Sequence, residues 1–384
     1  MDKMNKKELI SDQCFICGAD LSEENSSDEH ILLNALGGHI HSNKLICKAC
    51  NSAFGRTSDE ELAKEMRFFA SYLDVPRQRG KNQKVRTLDE KYDMMPGGVP
   101  VLRNPIVKKT EYNKGFAIEA EVRDESELRR ILRELAKKYP GIDVQQALLS
   151  KVEKNDTIDH LQVSAEFHAH KIFPSIIKSA VEFYLLCGGD RLYIQHLVPV
   201  IKGEADCFDC CMFYYPKTSF FHTVIGNMEH ILYVNGNTEN RLLYGYVSYF
   251  GVMQCMVLLN DSYDGPDLEN GYAYQVITNE SKKVIPQYGL SRERINEILN
   301  TSFLDNYRRV KDAVGYYIMN ADLIKIQQSV MPELEEYYKE QCERVSRGEI
   351  NTYESRRAIV KKYTDLITPW LKKYMRKEEK LNLF

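Results

Sequence analysis

The sequence predicts an α+β protein in three parts: a small metal-stapled N-terminal module, a β-rich α+β domain and a C-terminal helical region. Three observations carry this. Two Cys-x-x-Cys pairs, Cys14/Cys17 and Cys47/Cys50, bracket one short segment. Residues 191–278 hold runs rich in Tyr, Phe, Val and Ile separated by turn residues. After Ser291 the apolar residues recur at helical spacing to the end. With 384 residues, 43% of them hydrophobic and 28% charged, the chain has room for two or three domains with substantial cores. The expected boundaries are 1–74 for the stapled module, 75–105 for a basic Pro/Gly-rich linker, 106–290 for the α+β domain and 291–384 for the helical region.

Composition excludes several classes. No run of eighteen apolar residues is present, so no membrane span is expected. The polar stretch Met1 to Glu8 lacks the apolar core of a signal peptide, which points to the cytoplasm. A net charge of −3 means that any nucleic-acid binding rests on local basic patches.

In chain order, residues 1–12 form a polar lead-in with Lys3, Lys6 and Lys7. Gly18 closes the first knuckle, where a positive φ is needed. His30-Ile31-Leu32-Leu33 suits a short buried strand, and Gly37-Gly38 a turn. A helix starts near Cys50, and Ser58 with Glu61 has capping-box spacing for a second. The stretch Arg77, Arg79, Lys81, Lys84 and Arg86 holds no acid and suits a phosphate-contacting arm or a solvated connector. Met94 to Pro100 carries Pro and Gly punctuation and is expected to be irregular. A strand follows within 106–124, then helices over 126–139 and 174–187. Strands are expected at 192–201, 211–215, 220–226, 230–235, 241–250, 252–259 and 272–278, forming one curved antiparallel sheet or a small barrel. Helices are expected at 291–300, 303–319, 320–346 and 350–380.

Four thiolates in two Cys-x-x-Cys pairs supply a closed tetrahedral zinc site, and in a reducing compartment metal explains such pairs better than disulfides. With no open coordination position this zinc is structural. The 29 residues between Cys17 and Cys47 leave room for a hairpin, and that hairpin holds Glu29 and His30.

Residues 13–62 resemble the HNH endonuclease family in its ββα-metal, treble-clef-like form. The resemblance rests on Cys14-x-x-Cys17-Gly18, Glu29-His30-Ile31, Gly37-Gly38, Cys47-x-x-Cys50-Asn51, and the trailing Phe54-Gly55 and Asp59. It implies an HNH module with His30 as general base, Glu29 and Asn51 as ligands of a catalytic Mg²⁺ or Mn²⁺, and Asn43 as the asparagine bracing the hairpin, with Asn34 in the same loop as the other candidate. The chemistry agrees with those residue types. Phosphodiester hydrolysis needs an activated water and a Lewis acid, and a neutral imidazole beside oxygen ligands supplies both. The implied substrate is DNA, with a partner protein or a second copy of the chain, and no membrane, as further expectations. The layout suggests a bacterial restriction or anti-phage effector whose larger part recognises a target, a trigger or a partner.

The alternatives are a non-catalytic zinc module that binds nucleic acid or assembles, and an RNA-cleaving nuclease. Other signals are weaker. Cys207, Cys210 and Cys211 suit core thiols better than a second metal. His168 and His170 suit structural histidines. The aromatics between Tyr214 and Phe250 suit a core better than a base-stacking platform. Basic residues from Arg356 to Lys380 suit a DNA or partner surface or a solvated helix face.

Overall fold

The computed structural model describes residues 13–113, 115–152, 162–222, 224 and 226–381, leaving aside the side chains of 307 and 370–381. The lead-in 1–12 and the basic side chains from Lys372 to Lys380 therefore lie outside the described residues. The chain divides into two compact units, one of Met1–Met66, Val75–Lys81 and Phe167–Phe384, the other of Arg67–Asp74 and Asn82–Glu166.

The first unit opens with the knuckle. Gly18, at φ 76°, donates its N–H to the Cys14 carbonyl and turns the chain back. Strand β1 (Glu29–His30) pairs antiparallel with β2 (His41–Ser42), placing His30 opposite His41. The strand is shorter than its apolar run suggests. Ile31, Leu32 and Leu33 are buried, but the chain leaves the ladder for a 3₁₀ turn at Asn34–Leu36. Gly37 ends that turn at φ 85°, and Gly38 passes so close to the Leu32 carbonyl that a Cβ there would sit 2.0 Å from its oxygen. Gly38→Ala is therefore expected to lower stability by about 1–3 kcal/mol, seen as a lower midpoint of thermal unfolding. Helix α1 (Lys48–Phe54) starts directly after Cys47, and α2 (Ser58–Glu65) follows with Thr57, not Ser58, at its N-cap.

The second unit holds α3 (Arg67–Tyr72), a three-stranded meander of β3 (Val85–Arg86), β4 (Tyr92–Met95) and β5 (Val99–Leu102), and the hairpin β6 (Ile106–Tyr112) and β7 (Gly115–Glu121). Helices α4 (Glu125–Lys138) and α5 (Val144–Leu149) complete it, α4 capped by Asp124, which accepts from the Glu127 N–H. The irregular stretch expected at 94–100 is instead the β4–β5 hairpin. Gly97 and Gly98, at φ 85° and 79°, supply the two left-handed residues that a tight hairpin turn requires.

The first unit resumes with α6 (Ala169–Leu186) and the short α7 (Val198–Ile201). An open antiparallel sheet follows, built from β8 (Cys211–Phe213), β9 (Glu229–Asn237), β10 (Leu242–Tyr249), β11 (Met253–Asn260), β12 (Leu268–Gln275) and β13 (Glu280–Lys283) in the order β13-β12-β9-β10-β11-β8. It is a sheet and not a barrel, because β13 and β8 end it unpaired with each other. The segment 192–201 forms 3₁₀ turns and α7, with Pro199 in the first turn of that helix, where its missing N–H costs nothing. The described residues of 220–226 form no strand; Phe220 and Phe221 instead cover one face of the sheet with α8 (Arg292–Leu299). On that face lie Tyr214, Tyr233, Tyr244 and Tyr246, all nearly inaccessible, so the aromatics of the sheet are core and present no platform for bases.

Helix α6 packs between the sheet and α2. That middle position buries it on all sides from Ile172 to Leu185. His230 adds a tie from the sheet to the turn above it. Burial draws its pKa down to about 4, and the neutral ring donates from Nε2 to the Leu36 carbonyl at 2.7 Å. The chain closes with α9 (Phe303–Ser346) and α10 (Thr352–Leu381), which pack on each other. The expected break near 319–320 is absent. Asn320 stays helical, its Nδ2 donating to the Tyr316 carbonyl while its Oδ1 accepts the Gly226 N–H. Among the described residues, no helix is long and apolar enough to cross a membrane.

Candidate active site

The two knuckles meet. The Sγ atoms of Cys14, Cys17, Cys47 and Cys50 all lie within 4.8 Å of one another, the one such grouping of three or more His, Cys, Asp or Glu ligand atoms among the described residues. A tetrahedral zinc with bonds of about 2.3 Å puts neighbouring sulfurs about 3.8 Å apart. The Cys17 and Cys47 sulfurs are 3.8 Å apart, so the thiols are spaced for that ion. The Ala19 backbone N–H helps draw the Cys17 thiol down to about 7, toward the thiolate that a metal needs. Cys207, Cys210 and Cys211 are buried, and burial raises all three thiols, as core cysteines require.

A cavity of about 400 Å³ lies over the hairpin and the two helices. Its wall is made by Glu29 and His30 of β1, by Leu33, Asn34 and Ala35 of the turn, and by Asn51, Gly55, Asp59, Glu60 and Ala63 of the α1–α2 segment. His30 and Asn51 are half-buried there. The His30 Nε2 donates to Gln78 Oε1 at 2.8 Å, which leaves Nδ1 as the basic nitrogen of the neutral ring. The same amide donates to His39 Nδ1 at 3.3 Å, so Gln78 bridges two histidines of the hairpin. Across the strand pair, His41 Nδ1 lies 2.6 Å from Asp28 Oδ1. Asn51 donates from Nδ2 to Ser27 Oγ at 2.7 Å, which turns the amide and leaves Oδ1 as an acceptor.

Glu29 is only 2% exposed. Its Oε1 takes a short hydrogen bond from the Lys178 ammonium of α6, while its buried Oε2 has no hydrogen-bond partner among the described residues. Burial raises the Glu29 pKa, and Lys178 opposes that shift. The ammonium also lies 3.2 Å from Asp59 Oδ2 and 3.5 Å from Glu182 Oε1. Asp59 Oδ1 accepts the Ser175 hydroxyl at 2.5 Å. Burial pulls the Lys178 pKa down, but Asp59, Glu182 and Glu29 outweigh it and hold the ammonium well above its ordinary value. Three acidic side chains thus share one buried cation. The unpartnered Glu29 Oε2 and the available Asn51 Oδ1 are hard oxygen donors on one cavity, the donor type a Mg²⁺ or Mn²⁺ ion takes.

The other expected residues fall differently. Asn43 is exposed on the turn after β2 and does not line the cavity. Asn34 does, and it ties the turn to the following chain, accepting the Gln78 N–H at 3.0 Å and donating to the Arg79 carbonyl at 3.3 Å. The basic stretch is split between the two units. Arg77, Arg79 and Lys81 belong to the first, where Arg77 donates to the Lys81 carbonyl. Lys84 and Arg86 belong to the second, where each faces an acid, Asp93 and Glu90 respectively. His168 is structural: its N–H and Nδ1 both engage Glu65, whose carboxylate caps α6. Gln78 and Lys178 carry no motif. The one signal for Lys178 was its place in an otherwise apolar stretch, Ile176-Ile177-Lys178, with Glu182 one helical turn later.

No curated protein and no solved structure matches the chain. Residues 14–67 match the family model described as HNH endonuclease, and the chain carries an HNH endonuclease domain at its N-terminal end.

Proposed function

We propose that this protein is a metal-dependent endonuclease that hydrolyses phosphodiester bonds in DNA. The observation supporting it is that His30, Glu29 and Asn51 line one cavity, in a segment matched to HNH endonucleases and stapled by four clustered cysteines. In this reading His30, with Nε2 held by Gln78, takes a proton from the attacking water through its other nitrogen. Glu29 of the hairpin and Asn51 of α1 offer oxygens to the same cavity. A divalent cation held there would stabilise the negative charge of the leaving 3′ oxygen. Asn34 braces the hairpin that carries His30, the role the resemblance assigned to a loop asparagine. The zinc of the four cysteines takes no part in chemistry, since four protein ligands close it. The sheet and the α9–α10 pair belong to recognition of a target or a partner, because the residues suited to hydrolysis all come from the N-terminal segment and its immediate supports.

The test is cleavage of supercoiled plasmid and of a structured RNA by the purified full chain with Mg²⁺, Mn²⁺ or EDTA. Nicked and linear DNA with either ion, none with EDTA, and intact RNA are expected. RNA degradation with intact plasmid would assign the same residues to an RNA nuclease. Both substrates intact with every ion would leave a binding module and remove the enzyme.

A further inference from the structure

Helix α6 lies 100 residues and more beyond the matched segment, yet it holds two of the acids in the cavity's wall. Two of its side chains do this. Lys178, fully buried, touches two of the three acids that line the cavity, Glu29 and Asp59, and Ser175 holds the remaining oxygen of Asp59. A buried ammonium persists only when paired, and here its partners are the site itself. The Phe54 ring, 5.7 Å from the ammonium, closes the space around it. Asp59 is held through both oxygens, by Lys178 and Ser175, whereas Glu29 is held through one, and among the described residues its second oxygen has no hydrogen-bond partner. That is the arrangement in which an outer group orients a carboxylate and leaves one oxygen for a cation.

We propose that Lys178 and Ser175 are positioning residues of the nuclease site: they fix Glu29 and Asp59 on the cavity wall, so that cation binding by the HNH segment depends on a helix contributed by the sheet-bearing part of the chain. This rests on the nuclease reading and deepens it. It places Asp59 beside Glu29 on the supported wall of the cavity and makes the α2–α6 contact part of the active site. Any event that shifts α6 against α2 changes the affinity for the cation.

The test uses the full chain, with zinc content and thermal unfolding recorded for every variant. Mn²⁺ binding is measured without nucleic acid, by the loss of the free-ion electron paramagnetic resonance signal, and cleavage is measured against Mn²⁺ concentration. Lys178→Met/Glu182→Gln, which removes one basic and one acidic group together and so keeps the formal buried charge balance, is compared with the wild type, and Glu182→Gln alone reports the effect of losing Glu182. The Mn²⁺ dissociation constant is expected to rise about 10–100-fold, the usual effect of losing such an outer group, with cleavage partly restored at high Mn²⁺. Ser175→Ala, a smaller lesion, is expected to shift it several-fold in the same direction. An affinity unchanged or tighter in the folded double variant would overturn the proposal, because Lys178 would then be a bystander or a competitor of the cation. If the double variant loses its cooperative unfolding, Ser175→Ala decides by the same criterion. A wild-type chain that neither binds Mn²⁺ nor cleaves fails the nuclease reading itself. A wild type that does both, beside variants that match it, fails only the role of α6.

Discussion

His30→Ala is expected to reduce plasmid cleavage at saturating Mg²⁺ by about 10²–10⁴-fold, the range spanned by loss of a positioned general base. The fold should survive the change. His30 is half-buried, stands at the end of a two-residue strand and makes a hydrogen bond to Gln78, which is itself exposed, so little core packing is lost. Zinc content and the thermal midpoint should therefore stay near wild type, which separates a chemical defect from a folding defect. The hydrogen bond to Gln78 makes the expectation sharper. Because the amide oxygen can only accept, it fixes the proton on Nε2, and the imidazole meets the water with Nδ1. Retention of wild-type cleavage in His30→Ala would move the base elsewhere. The neighbour placed to replace it is His41, opposite His30 in the strand register and paired with Asp28.

The site was legible where its logic is local. Metal-ligand spacing, the Glu29-His30 pair and the asparagine after Cys50 are fixed by short-range chain geometry, and the structure brings Glu29, His30 and Asn51 to one cavity. The aromatic sheet and the helical end were legible from periodicity. What escaped was set by tertiary contact. Lys178 reaches Glu29 across 149 residues, and only the packing of α6 between α2 and the sheet brings them together. Asn34 and Asn43 look alike in sequence. The choice between them is made by a backbone turn that Gly37 and Gly38 allow, since it carries Asn34 to the Gln78 amide and leaves Asn43 outside. The run 192–201 has strand-like composition, but Pro199 and the turns around it make helix the better use of the same apolar residues. The β4–β5 hairpin shows the converse: glycines that look like breakers in isolation are turn formers once strands flank them.

Cys47→Ser should have the widest effect of any single substitution in the chain. Cys47 is buried, pairs with Ser26 in an isolated bridge and stands as the N-cap from which α1 starts, so its thiol joins the staple to the helix that carries Asn51. The module around it has a thin core, in which Phe15, Ile16, Leu45, Ile46 and Phe54 are buried. Structural zinc contributes about 10–16 kcal/mol of apparent binding free energy in small modules at neutral pH, more than such a core supplies alone. Loss of one of the ligands should drop bound zinc from about one ion per chain to well below that, and strong chelation of the wild type should do the same. Cleavage should then disappear at any Mg²⁺ concentration, because Asn51 and the hairpin lose their mutual placement. The sheet should not follow. Its core of Tyr233, Tyr244, Tyr246 and Met256 is closed by α8 and is independent of the knuckles. Limited proteolysis should therefore cut within 14–66 first and leave a resistant fragment holding the sheet. Wild-type protein purified without zinc, or a Cys47→Ser variant that keeps a full complement of zinc and cuts normally, would dissolve the link between the staple and the site. The expected outcome places the two metals in sequence: the closed site builds the hairpin, and the open one depends on it.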